Sequence, residues 1–197
     1  MRNIGYIQLI LLDIDGVVYD FVNYILPLFD SSKTDKDILT YKMSDSLGCS
    51  SAEFWQKIDT IDGAFSNGSI YEWSRDLIEL CKKFCPNIMF CSNPGNNPKH
   101  WAEKAKFTKQ YFPDIALTLT QNKYFYSLPG VVLIDDFEKN CDAFDLHGQG
   151  KAILFPQYWN RNQEFRKDNK QLEYVECLLE DISINGTKIF KKDETYK

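Results

Sequence analysis

Asp13 and Asp15 stand one residue apart in LLDIDGVVYD, directly after the apolar run Ile10-Leu11-Leu12. In an extended segment residues i and i+2 project to the same side, so both carboxylates can face one substrate. Two like charges at the end of a buried strand are unfavourable unless a proton or a cation compensates them. Two further apolar runs end in polar groups: NIMFCS in Ser92-Asn93-Pro94, and GVVLIDD in Asp135-Asp136. As parallel strands these runs would end on one edge, where the carboxylates converge. Oxygen-only donors suit Mg2+, which keeps several waters and takes one or two carboxylates plus a substrate phosphate. Lys123, just before GVVLIDD, can supply a second positive charge. Such a set suits phosphoryl transfer, which needs positioning and charge neutralisation above all. Asp13 is the candidate nucleophile, able to form an aspartyl-phosphate. Asp15 is the candidate acid for the leaving oxygen and base for water. Gly16 allows a tight turn away from the strand.

Strands and helices must alternate to position these ends. YIQLILL, NIMFCS, IALTLT, GVVLIDD and KAILF read as buried strands. EWSRDLIELCKKF, with Trp73, Leu77, Leu80 and Phe84 at three- and four-residue spacing, reads as an amphipathic helix. That spacing makes Trp73 a core residue first. KHWAEKAKFTKQYF, FEKNCDAF and QLEYVECLLEDI also read as helices, and ISINGTKIF as a hairpin around Asn185-Gly186. Ser50 or Ser51 ahead of Glu53 marks another helix start. The pattern predicts an α/β protein with a three-layer, Rossmann-like parallel sheet. Residues 22–70 break the alternation and are expected to form a small helical cap inserted after the first strand. Residues 1–21 and 71–197 make up the core domain, with the cap over the carboxyl ends of its strands.

The motif order resembles the haloacid-dehalogenase-like phosphatase superfamily: DIDGVV, then the strand ending at Ser92, then Lys123, then the acidic pair after VVLI. DIDGVVYDF, CSNP, LTQNK and LIDDFEKN more closely resemble the 5′(3′)-deoxyribonucleotidases. The resemblance spans roughly residues 8–155. It implies that Asp13, the Asp15 backbone carbonyl and Asp135 bind Mg2+, with Asp136 supporting the metal shell. It implies that Ser92, Asn93 and Lys123 hold the phosphate. It also implies that cap aromatics stack the base of a nucleoside monophosphate, preferably a deoxy one. Phe21, Tyr24, Phe54, Trp55, Phe65 and Trp73 form the aromatic pool, with Phe21, Trp55 and Phe65 the named candidates. Tyr19 departs from the family, standing where a small residue is usual.

Other features narrow the reading. The net charge of −5 argues against a duplex nucleic-acid partner. The basic C-terminal cluster (Lys188, Lys191, Lys192, Lys197) reads as a solvated tail. Arg2 with IGYIQLILL imitates a signal peptide, but Gln8 interrupts the run, Asp13 ends it, and no cleavage site follows. With no run of membrane-spanning length and six scattered cysteines, a cytoplasmic protein with free thiols is expected. A homodimer is compatible with the sequence. His100 and His147 read as surface or helix-end residues. HGQGKA lacks the spacing of a phosphate loop. Lys104, Lys106 and Lys109 compete with Lys123 for the phosphate. A sugar phosphate or a phosphorylated nucleic-acid end is the alternative substrate class, and a non-catalytic binding module the alternative function.

Overall fold

Strands made only of apolar residues need cover on both faces. In the computed structural model, which describes residues 7–186, β1 (Leu9–Leu12), β2 (Ile88–Ser92), β3 (Ala116–Leu119), β4 (Val131–Asp135) and β5 (Lys151–Leu154) form one all-parallel sheet in the order β3-β2-β1-β4-β5. Side chains alternate between its faces. Ile10, Leu12, Phe90, Val132, Ile134 and Ile153 pack into the larger apolar core. That core also takes side chains from α4 (Ser74–Phe84), α5 (Pro98–Tyr111) and α8 (Gln171–Asn185). Leu11, Cys91, Val131 and Leu133 face the other way, against Phe144 of α6 (Glu138–His147). An α/β architecture with helices flanking a parallel sheet is therefore present, in agreement with the Rossmann-like three-layer expectation.

Residues after β1 are helical, in α1 (Phe21–Leu28), a 3-10 turn at Asp35–Asp37, α2 (Met43–Leu47) and α3 (Ser51–Thr60). Asp20 caps α1 by accepting the Asn23 N–H at 3.2 Å, and Pro27 sits in its last turn. Ser50 and Glu53 form the reciprocal capping box that the sequence signals. Phe21, Ile25, Ile38, Phe54, Ile58 and Phe65 belong to the same contiguous core as the sheet. A buried ion pair ties this stretch to the rest. Arg166, in α7 (Gln163–Lys167), reaches Asp35 Oδ2 at 2.9 Å, with its guanidinium over Trp73 and Tyr158. Trp73 is a core residue: its indole N–H donates to Val17 O at 3.0 Å and its ring stacks on Tyr71.

The expected hairpin around Asn185-Gly186 is not present. Leu179 and Ile182 extend the buried face of α8, so the helix runs to Asn185. Gly186, at φ 74°, ends it with its N–H on Ile182 O. Asn-Gly serves both turn types, and the apolar spacing before it decides. The rest of the expected hairpin, the basic tail, and the first six residues lie outside the described residues. No described helix is long and apolar enough to cross a membrane.

Tyr19 stands where the resemblance leads one to expect a small residue, and the structure gives it a role of its own. It is fully buried, donates to Ala64 O at 2.9 Å and accepts from Gly68 N at 3.1 Å. It thus pins the loop after α3 to the end of β1. Tyr19→Phe leaves two buried backbone groups unpaired and is expected to lower stability by about 1–3 kcal/mol. A denaturant midpoint shift at unchanged slope is the measurement, and an unshifted midpoint contradicts it.

Candidate active site

The sheet grows in both directions from β1: β2 and β3 lie to one side, β4 and β5 to the other. Open parallel sheets bind ligands in the crevice at such a switch point, outside the carboxyl ends of the strands. Leu12 is in register with Phe90 on one side and Ile134 on the other. The Asp13 N–H continues the ladder by donating to Ile134 O at 2.9 Å. Asp13 and Asp135 therefore emerge beside each other, although they are far apart in the chain. Ligand oxygens of Asp13, Asp135 and Asp136 lie within 4.8 Å of one another.

Each carboxylate has its own support. Asp13 Oδ1 accepts from Ile14 N at 2.8 Å and forms an ion pair with Lys123 Nζ at 2.9 Å. Asp135, fully buried, accepts from Phe137 N (2.8 Å), Asn140 Nδ2 (3.0 Å) and Lys123 Nζ (2.6 Å). Asp136 Oδ2 accepts from Trp159 Nε1 at 2.7 Å, while its buried Oδ1 has no hydrogen-bond partner among the described residues. Asn160 holds the Asp136 and Phe155 carbonyls at 2.9 and 2.8 Å. Asp15 Oδ2 pairs with Lys104 Nζ, which also donates to Ser92 Oγ at 2.9 Å; Asp15 Oδ1 is buried and unpartnered. Gly16 stands at φ +76°, and a Cβ there would meet Asp136 Oδ2 at 2.3 Å. Only glycine fits where the chain turns past that carboxylate.

Burial and neighbouring charge set the titration. Burial works against the charge of Lys123, yet Asp13 and Asp135 outweigh it and hold the ammonium well above the usual lysine range. Burial pushes Asp15 up, against the pull of Lys104, and the Asp13 charge adds to the rise. Asp136 is pushed well above the carboxylate range, by burial first and then by Asp135 and Asp13. Among the described residues, the ion pairs of Asp13, Asp15 and Asp135 are with Lys104 and Lys123, and Asp136 forms none. If all are charged, the uncompensated charge equals that of one divalent cation. The donors are hard oxygens, and the orphaned Asp136 Oδ1 is available, so the residues fit Mg2+.

The structure brings Asp13, Asp135, Asp136, Lys123 and Ser92 together, and adds details the sequence did not reveal. Asp136, expected to support the metal shell, offers an oxygen within the ligand cluster itself. The Asp15 carboxylate is outside that cluster, against Lys104, so any part it takes at the metal falls to its backbone carbonyl. Asn93 is exposed, with Oδ1 accepting from Gly95 N at 2.8 Å, which leaves its amide nitrogen for a ligand. Lys104 joins Lys123 in the site, whereas Lys106 and Lys109 are exposed. Its signal was its place in the series His100, Glu103, Lys104, Phe107, Thr108, the buried face of α5. Charged residues on a buried face need partners. Trp159 gave no such signal. His100 is at a helix end as expected, but is buried rather than on the surface, with Nε2 3.1 Å from Asp59 Oδ1 and its ring against Phe65.

A cavity of about 180 Å³ opens between the strand ends and α1–α3. Asp15 and Asp136 stand on its wall, and Phe21, Phe54, Trp55 and Phe65 line it. All three aromatics singled out in the sequence thus reach it. Phe21 stacks on Phe65 at 5.0 Å, and Trp55 is 47% exposed. Tyr41, also on the wall, stacks on Phe137 beside the acidic pair. No protein-family model matches the chain, and a search of curated proteins finds no significant similarity.

The elevated Asp136 has a signed consequence for stability. The proton it holds when folded stabilises the metal-free protein below the ordinary carboxyl value of about 3.8, and that contribution is lost as pH rises through the elevated value. Asp136→Asn removes this loss and keeps an acceptor for Trp159. In chelator-treated protein, the variant's melting temperature should gain on wild type between pH 5 and pH 8. Added Mg2+ should raise the wild-type melting temperature more than the variant's. Equal responses of the two proteins to pH and to Mg2+ would contradict this assignment.

Proposed function

We propose that the chain is a Mg2+-dependent phosphomonoesterase of the haloacid-dehalogenase-like kind, closest to the 5′(3′)-deoxyribonucleotidases, acting on nucleoside monophosphates. In this reading residues 22–70 are the cap over the strand ends. The observation that carries it is the unequal treatment of two neighbouring carboxylates. Asp13 is paired with Lys123 beside Asp135 and Asp136, while Asp15 is raised in pKa and set against Lys104 on the cavity wall. Two carboxyl groups whose partners and surroundings differ in this way are suited to separate roles.

Asp13 Oδ1 is occupied by Ile14 N and Lys123, and among the described residues none donates to Oδ2. Oδ2 is therefore the attacking oxygen. It forms a bond to phosphorus as the bond to the leaving oxygen breaks, and Asp15 gives that oxygen its proton. Asp15 Oδ1, without a partner, is the oxygen that carries this proton. Asp15 then takes a proton from water as the water oxygen attacks phosphorus and the Asp13–phosphorus bond breaks, releasing inorganic phosphate. Ser92, Asn93, Lys104 and Lys123 hold the phosphoryl oxygens. Asp13, Asp135, Asp136 and the Asp15 carbonyl would hold Mg2+, which supplies charge neutralisation at the phosphoryl group. The aromatic walls favour a leaving group with a flat face, because stacking a base on a ring contributes about 1–3 kcal/mol.

Purified protein should hydrolyse an aryl phosphate and nucleoside monophosphates with Mg2+ and lose this activity in chelator. Asp13→Asn should abolish turnover. Asp15→Asn should slow nucleotide hydrolysis by about 10²–10⁴, the usual contribution of a general acid. Hydrolysis of p-nitrophenyl phosphate should fall less, because its leaving group departs without a proton. Activity indifferent to Mg2+ and to Asp13→Asn would overturn the enzymatic reading. Turnover of hexose phosphates with thymidylate and deoxyuridylate inert would overturn its nucleotide part.

A further inference from the structure

Glu103 is a nearly buried carboxylate that takes no part in the chemistry above. It sits on α5 beside Lys104, and both its oxygens accept backbone N–H groups from the loop after α3: Oε1 from Gly63 at 2.8 Å, Oε2 from Phe65 at 3.0 Å. That loop closes on itself in a tight turn, with Ser66 N and Asn67 N donating to Gly63 O at 3.0 and 2.9 Å. Gly63 stands at φ +78°, and a Cβ there would strike the Asn67 side chain. The Phe65 ring leaves this turn for the cavity, stacked on Phe21 and 4.7 Å from Lys104 Nζ.

We propose that Glu103 is a positioning residue for substrate selection: its carboxylate clamps the Gly63–Phe65 backbone and so fixes the Phe65 ring as a wall of the leaving-group pocket. Adjacent α5 residues thereby serve the two ends of one substrate. Lys104 reaches Asp15 and Ser92 at the phosphate end, and Glu103 sets the ring at the other. The requirement is specific to a carboxylate. Each N–H meets its own oxygen here, and an amide in the same pose would set a donor against one of the two N–H groups. A Glu103→Gln change keeps the volume and loses the clamp.

The proposal rests on the phosphomonoesterase reading, and two readouts keep the tests separate. The first is amide hydrogen exchange, which needs no activity. Protection of the Phe65 amide should fall in Glu103→Gln while that of the β1 and β4 amides stays. The second is kinetic. Glu103→Gln should raise KM for a nucleoside monophosphate about tenfold, the equivalent of one lost stacking contact. KM and kcat for acetyl phosphate, which has no ring to stack, should hold within about twofold of wild type on the same scale. Phe65→Ala should reproduce the nucleotide defect, and the double variant should be no worse than Phe65→Ala alone. Retained Phe65 protection, an equal loss on both substrates, or additive effects would each overturn the proposal. If Glu103→Gln does not fold, Glu103→Asp, which keeps the charge and shortens the reach, carries the same comparisons. Absence of turnover on every ester removes the phosphatase reading, while the exchange result still decides whether Glu103 holds the loop.

Discussion

Negative charge gathered at the ends of β1 and β4 is the condition around which the rest is arranged. Asp135 is fully buried and Asp13 and Asp136 nearly so. Bare carboxylates in such a place are strongly disfavoured. Lys123 answers the demand from the 3-10 turn Lys123–Tyr126, four residues ahead of β4. It spans Asp13 and Asp135 at once, so its position is dictated by both strands. Buried ion pairs of this kind contribute little net stability, because desolvation offsets the attraction. Their presence is better explained by what the unbalanced remainder attracts. Among the described residues, Asp136 Oδ1 and Asp15 Oδ1 are the buried carboxylate oxygens without a hydrogen-bond partner.

Topology makes the cluster unavoidable once the strands are in place. β4 pairs with β1 because the sheet reverses its direction of growth, and such a reversal opens a crevice at the shared carboxyl end. The helical stretch after β1 occupies this opening without filling it. It is held from three sides: by Tyr19 beneath, by Arg166 on Asp35, and by α5 at the loop after α3. The cavity is what remains between these fixed points.

Much of this was legible in the sequence because it depends on local rules. Apolar runs ending in Asp, Ser or Asp-Asp fix both the strands and the groups at their tips, and the Ser50–Glu53 box fixes the start of α3. Other features depend on contacts that no spacing encodes. Trp159 reaches Asp136 from the segment after β5, where periodicity fades. Arg166 finds Asp35 across more than half the chain. The Asn185-Gly186 turn was ambiguous because one dipeptide satisfies a hairpin and a helix end equally. His100 stands at a helix end, one of its two expected places, but its burial was not legible, because a lone histidine carries no burial signal of its own. Lys104 sits between these cases: its helical position marks it as buried, but only the fold shows that Asp15 and Ser92 are the partners that make burial tolerable.

The two lysines also explain how identical side chains one residue apart diverge. Asp13 continues the β1 ladder through its own N–H and meets an ammonium rooted at the entry to β4. Asp15 lies beyond the ladder, on a segment already turning through Gly16, and meets an ammonium rooted in α5. Lys123 shares its charge between two carboxylates, so it answers to the sheet. Lys104 shares its charge between Asp15, a hydroxyl and the face of Phe65, so it answers to the cavity. Anything entering the cavity therefore alters the surroundings of Asp15 more than those of Asp13. Under the proposed mechanism the group on the cavity wall is the one that moves a proton, and the group held by the sheet keeps its geometry while bonds change.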